Sequence, residues 1–347
     1  MRHSASQPPS GGPPSGSRGS KLGLLLLFIL LLVGIVCNRE FFLRVLERLE
    51  EVPFTALILM ILLETGNLFV TGLSFWSMES RRWPAFTVTR GIQTSLYAAF
   101  FRVTTFGSGV DVARAYFLSR YQIPPGEGMG ACFLQNAVNK LVLTLYGSVA
   151  LLAWPPLRHS LGPYEQWIWA AILFSCLLTV LLWLLALCRP LARRGVALLD
   201  LVARRWPRWE SLAEKGRQLI DLLQEKTHEM MGDKKLFVRL FFLSALSQLL
   251  WYLIPWASFA GQDVSPLGSV AITGAACMLA GVIPTPTGFG SMDILFPMLF
   301  APLVGAVDAA TVMILYRFIT TFLPFFAGTA YVFCLHGAGK KQEQEIK

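Results

Sequence analysis

From Val264 to Met292 the chain runs without a charged residue, which exceeds the roughly 20 apolar residues a bilayer span needs. Inside that run sit Pro284, Pro286, Gly288 and Gly290. A proline removes a backbone donor and clashes with the preceding turn, so the pattern predicts a broken element. The simpler alternative is a kinked helix or a loop at the membrane surface. Broken backbone at membrane depth persists only where protein or a wet cavity surrounds it. Transporters build substrate sites at such breaks.

The rest of the apolar pattern predicts six full spans, at about 22–37, 53–78, 129–154, 166–188, 240–261 and 307–335. A second interrupted run, 91–121, carries Gln93 and Arg102 and breaks at Gly107, Ser108 and Gly109. The fold expected is therefore all-α: a polytopic integral membrane protein with two re-entrant helical hairpins besides the spans. Residues 1–20 are rich in Pro, Gly and Ser and are expected to be a disordered cytoplasmic tail. Residues 21–336 read as the membrane domain and 337–347 as a second tail. Within the domain, 189–235 is basic, with Trp209, Leu212, Leu219, Ile220 and Leu223 at roughly helical spacing. That predicts an amphipathic connector at the cytoplasmic surface.

Composition agrees: 54% of residues are hydrophobic and 15% charged. The net charge of +9 gathers in the N-terminal tail, in 189–239 and at Lys340 and Lys341. Basic residues beside apolar spans mark cytoplasmic loops, a better account than nucleic acid. Both termini are then cytoplasmic, in a multi-pass protein of the cytoplasmic (inner) membrane. Six cysteines and four histidines are scattered without metal-ligand or triad spacing, so no metal, cofactor or disulfide framework is expected.

Counting sides from these loops makes 91–121 a hairpin entering from the cytoplasm and 264–306 one entering from outside. Each half, 53–154 and 240–335, then reads span, hairpin, span, in opposite orientation. The breaks share a text, Phe106-Gly107-Ser108-Gly109-Val110-Asp111 and Phe289-Gly290-Ser291-Met292-Asp293. Lys140 follows in one half and Arg317 in the other. This is the pattern of an inverted repeat with a site near the bilayer midplane.

An ionisable side chain in lipid costs several kcal/mol unless paired or hydrated. Arg102, Arg114, Lys140 and Arg317 are the candidate contacts to an anionic lipid head group; the arginines suit phosphate because a guanidinium donates two bonds at once. Helix N-termini after Gly109 and Gly290 would add backbone donors. Asp111, Asp293 and Glu64 are candidate caps or coupling acids. The competing reading is structural ion pairing, for example Asp293 with Arg317, and interhelical bonds from Asn136 and Asn139.

Pro284-Thr285-Pro286-Thr287-Gly288-Phe289-Gly290-Ser291-Met292-Asp293 resembles the P-x-P-G-G-x-G-x-x-E signature of the transmembrane region of lysylphosphatidylglycerol synthases. Thr104 to Asp111, with Arg114 and Tyr116 after it, resembles that family's T-P-F-G-S-G-G-E/D motif, and Asn139-Lys140 and Tyr316-Arg317 fall where it places polar residues. The likeness covers about residues 22–335. Departures are Thr105 for proline, Val110 and Thr287 for glycine, and Asp293 for glutamate. The resemblance implies a flippase-like domain that moves phospholipid across the membrane. Few residues follow the last span, so the soluble lysyltransferase domain of full-length synthases is not expected here. The expectation is a non-enzyme that translocates an anionic phospholipid or lipid-linked precursor. Its partners would be membrane lipids and, as for some relatives, a cytoplasmic lipid- or glycosyltransferase. The alternatives are a lipid-modifying enzyme embedded in the membrane and a non-transporting docking partner for such a transferase.

Overall fold

The structure is a computed structural model that describes residues 39–345 apart from 106, 108, 154–164, 206–209, 259–263 and 282–289. The chain divides into two units, Met1–Glu50 and Glu51–Lys347. The described part of the first is one amphipathic helix, α1 (Arg39–Glu50). The predicted tail 1–20 and span 22–37 lie outside the described residues, as do Ser108, Pro284, Pro286 and Gly288.

The second unit is built of helices joined by short turns, with no strand among its described residues. Its first half holds α2 (Phe54–Glu79), α3 (Val88–Thr104), α4 (Val110–Ser119) and α5 (Pro125–Ala153). The middle holds α6 (Glu165–Leu187), α7 (Arg189–Arg205) and α8 (Glu210–Gly232). The second half holds α9 (Lys234–Ser258), α10 (Pro266–Ala280), α11 (Ser291–Val304), α12 (Ala306–Arg317), a π-helical turn (Phe318–Phe322) and α13 (Leu323–Glu345).

Local chemistry sets several of these boundaries. Ser265 caps α10, its side chain accepting from the Gly268 N–H at 3.0 Å, and Pro266 takes the first helical position, where its missing donor costs nothing. Pro255 interrupts the ladder of α9. The gap is filled from α10: the Ser269 hydroxyl donates to the Tyr252 carbonyl at 2.9 Å and accepts from the Trp256 N–H at 3.0 Å. A hydroxyl inserted in this way satisfies the backbone groups a helix bond would have used.

α2, α9 and the continuous stretch Ala306–Leu335 are long and apolar enough to cross a membrane, and Ile172–Leu187 with Arg189–Arg205 makes a fourth candidate bent by 108°. α5 has 29 residues, about 43 Å of helix, but carries Lys140 and three side-chain amides. On α6, Leu173, Leu177, Val180 and Leu184 face outward and exposed, a stripe suited to lipid and not to water. The fold is that of an all-α multi-pass membrane protein. α8 packs on α5 and buries Leu223, Lys226, Thr227 and Met230.

The pairing of helices is preserved when the halves are exchanged. α2 packs on α9. Each hairpin's two arms pack together, α3 on α4 and α10 on α11. The first arm of each also packs on the last span of the other half: α3 on α13, and α10 on α5. Those two crossings are close because each has a glycine. A Cβ at Gly328 would fall 2.5 Å from the Leu96 carbonyl oxygen, and one at Gly147 2.5 Å from the Met278 sulfur.

Candidate functional site

The two halves enclose a cavity of about 540 Å³. Eight of their helices, α2 to α5 and α9 to α12, contribute to its described wall. Asn67 and Thr71 come from α2, Arg102 from α3, Arg114 from α4, and Asn136, Asn139 and Lys140 from α5. Ser247, Gln248, Trp251 and Tyr252 come from α9, Cys277 from α10, Met292 from α11, and Tyr316 and Arg317 from α12. Four separate elements thus bring Arg102, Arg114, Lys140 and Arg317 to one hollow.

The acids stand behind this basic surface. Asp111, Asp293 and Glu64 are absent from the described lining. Asp293 Oδ1 accepts from Arg317 Nε at 2.7 Å, and Oδ2 accepts from the Gly290 N–H at 2.8 Å. One carboxylate thereby caps α11 and holds the guanidinium against the cavity, combining two roles that are alternatives at the sequence level. Arg317 is also the last residue before the π-helical turn, a feature frequent at functional sites because it re-aims the side chains beside it.

Asp111 is held differently. Arg114 Nη1 lies 3.2 Å from its Oδ1, and Asn136 donates to its Oδ2 at 2.8 Å. The Gly109 N–H that a cap would take goes instead to Thr105 Oγ1, at 2.9 Å. Asn136 stands 25 residues after its aspartate and Arg317 stands 24 after its own. By contact, the counterpart of Arg317 is therefore Asn136, and Lys140 one turn further on has a different place.

Arg114 is nearly buried, its guanidinium 5.2 Å from the centre of the Phe75 ring, and its Nε has no partner among the described residues. The Arg102 side chain makes no hydrogen bond or ion pair among the described residues; it feels the field of Arg114, which repels it, and of Glu64, which attracts it. Glu64 is 1% exposed and accepts from the Asn67 amide at 3.3 Å. The Lys140 amine sits against Gly281, 3.0 Å from where a Cβ would stand, so that glycine makes room for the cation.

A polar seam holds α9 to its neighbours beneath these cations. Gln248 donates to the Asn139 carbonyl at 2.7 Å, and the Tyr252 hydroxyl donates to Gln248 Oε1 at 2.7 Å. Gln135 donates to Asn139 Oδ1 and to Ser244 Oγ, both at 3.2 Å. Ser247 donates to Asn67 Oδ1. Trp251 and Phe296 flank the Tyr316 ring at 5.9 and 5.4 Å, and the Trp251 indole N–H has no partner among the described residues. Sequence reading missed Gln248, Trp251 and Tyr252. The signal was present, since Ser244, Ser247, Gln248 and Tyr252 recur at spacings of three and four along one face of an apolar helix.

Such an arrangement can bind an anion with an apolar body. Guanidinium and ammonium groups supply charge-assisted hydrogen bonds, and the aromatic wall supplies apolar area. No group of three His, Cys, Asp or Glu among the described residues could hold a metal ion.

Helical repeat, apolar outward faces and a charged interior cavity define the chain as a multi-pass membrane protein. It belongs to the lysylphosphatidylglycerol synthase TM region family, whose sequence model matches residues 21–328. That membership connects its role with membrane lipid. No curated protein matches the chain.

Proposed function

We propose that the protein translocates an anionic phospholipid or lipid-linked precursor across the cytoplasmic membrane, with the phosphate held in the basic cavity. One observation carries the reading: four cations from four helices line a single cavity of about 540 Å³, and no carboxylate is part of its described wall. That volume suits a small-molecule head group, since such sites run from roughly 300 to 1,000 Å³. Arg102 and Arg114 repel each other, and a phosphate between them would offset the repulsion. The related halves supply a means of alternating access: one hairpin and its span rock against the other around a fixed site. In this reading the hairpins enter from opposite faces, both termini are cytoplasmic, and α7 and α8 face a cytoplasmic lipid- or glycosyltransferase.

The test is purified protein in liposomes carrying fluorescent lipids of several head-group classes. Translocation of anionic lipid by the wild type, lost in Arg317→Ala and Arg102→Ala, supports the reading. Chemical conversion of the lipid would replace it with an enzyme. Neither activity, with binding to a transferase intact, would leave a docking role.

A further inference from the structure

Beside the basic cavity lies a hollow of opposite chemistry, about 300 Å³ in volume. Its wall includes Phe133 and Ala137 on α5, Leu182 and Leu185 on α6, and Leu219 and Leu223 on α8. These helices pack on one another, and Gln224 of α8 donates to the Leu185 carbonyl at 2.9 Å, which pins α8 to α6. One polar side chain, Asn136, belongs to the described wall of this hollow, and it also lines the basic cavity. It is exposed although it sits mid-helix, because it faces both spaces. Water at liquid density would need about ten molecules to fill the volume, at ~30 Å³ each, and each needs two or more polar partners. A wall with a single side-chain amide does not meet that need. Hydrocarbon does.

We propose that this hollow holds one acyl chain of the lipid whose phosphate occupies the basic cavity, with the glycerol region passing Asn136. The inference rests on the head-group reading above and adds where the chain goes. Leu219 is exposed at the edge of the hollow and gives the chain an entrance. The chain leaves bilayer hydrocarbon for protein hydrocarbon, so burial itself adds little affinity. The hollow therefore acts by shape: it fixes the lipid's rotation and selects among chains by length and branching, while the cations supply the binding energy.

The experiment uses the full chain in phosphatidylcholine nanodiscs, with phosphatidylglycerol bearing a photoreactive diazirine midway along one chain. After irradiation, adducts are mapped by peptide mass spectrometry. The expected result is labelling at Phe133, Leu182 and Leu219 beyond that at Leu177, which is 61% exposed on the outer face of α6. Leu219→Trp, at the exposed edge, and Leu223→Trp, in the interior, should each lower labelling inside the hollow at least threefold. Labelling at Leu177 should stay unchanged, and an unchanged thermal-unfolding midpoint shows that the variant is folded. Adducts confined to outward-facing positions, or adducts in the hollow that both tryptophans leave unchanged, overturn the proposal. A phosphatidylcholine probe with the same chain separates this result from the head-group reading. Equal labelling of the hollow by both lipids keeps the chain site and removes the anion preference. Labelling of the hollow by neither, with Arg317-dependent binding of the anionic lipid intact, does the reverse.

Discussion

Gly107 and Gly290 share a positive φ, 81° at one and 91° at the other. Each stands in the text common to the two halves, and each precedes the hairpin arm that carries an aspartate, Asp111 or Asp293. The likeness extends into the next span. Eleven residues beyond Asn136 is Gly147, and eleven beyond Arg317 is Gly328; these are the two glycines at the equivalent crossings onto the opposite hairpin. The repeat is therefore written in conformation and contact as well as in letters.

Gly290 combines its φ of 91° with a ψ of −61°, a region side chains rarely occupy, yet among the described residues nothing lies within 4 Å of where a Cβ would stand. Gly290→Ala should therefore destabilise the protein through the backbone alone, by about 1–3 kcal/mol. Gly290→Asn should give no rescue, because asparagine relieves the ordinary left-handed helical region and this ψ lies outside it. Thermal unfolding in detergent checks both variants; an unchanged midpoint for Gly290→Ala refutes the strain.

The α2–α3 crossing is another point where one methyl group decides the packing. A Cβ on Gly91 would run into the Gly72 carbonyl oxygen, and one on Gly72 would lie 2.7 Å from Ile92 Cα. The obstacle in each case is backbone, which cannot swing aside. Gly91→Ala and Gly72→Ala should each cost about 1–3 kcal/mol as the helices are forced apart. α3 carries Arg102, so lipid binding should weaken in both. Wild-type stability in Gly91→Ala would show that the helices are less tightly apposed.

Much of this was legible in the sequence. The charge-free run, the shared glycine–serine text and the isolated cations predicted broken hairpins and named four residues that line one cavity. Other features could not be read. The Lys140–Arg317 correspondence followed the type of residue, whereas the fold equates Asn136 with Arg317 by what each bonds to. Ser269 repairing the ladder at Pro255 depends on two helices distant in sequence meeting at one turn. The π-helical turn after Arg317 precedes Pro324, whose missing N–H breaks the regular ladder, but a proline in the sequence announces a kink and not its π-helical form. Side-chain periodicity reports which face of a helix is buried; it does not report which helix buries it.

The Asp293–Arg317 pair should behave as a positioning device and a stabilising one. Asp293→Asn keeps the Gly290 cap through its remaining oxygen but releases the guanidinium. Breaking a fully buried pair costs about 3–5 kcal/mol; with Asp293 a third exposed, about 1–2 is expected. Arg317→Lys should lose most of the anionic-lipid affinity despite keeping the charge, because the Nε bond to Asp293 that aims the fork is gone. Lipid binding measured beside thermal unfolding separates the effects. Equal affinity in Arg317→Lys would show that charge alone suffices.

Arg102 and Glu64 offer the sharpest separation of function from stability. Glu64 is buried and, among the described residues, accepts from the Asn67 amide; Arg102 is half-buried at the cavity wall, attracted by Glu64 and repelled by Arg114. Arg102 and Glu64 attract through the field without touching, so removing both charges at once strands neither, and the change in stability is expected to be small. The double variant Arg102→Met, Glu64→Gln should therefore unfold close to the wild-type temperature in neutral detergent, while binding anionic lipid at least tenfold more weakly. Arg102→Met alone should be less stable than the double variant, since it strands the Glu64 carboxylate. An excess of anionic lipid should raise the wild-type midpoint more than that of the double variant, because ligand that binds only the folded state stabilises it by mass action. If the double variant instead unfolds well below the wild type and responds to anionic lipid just as strongly, Arg102 is an internal strut for Glu64, and the phosphate is held by the remaining three cations.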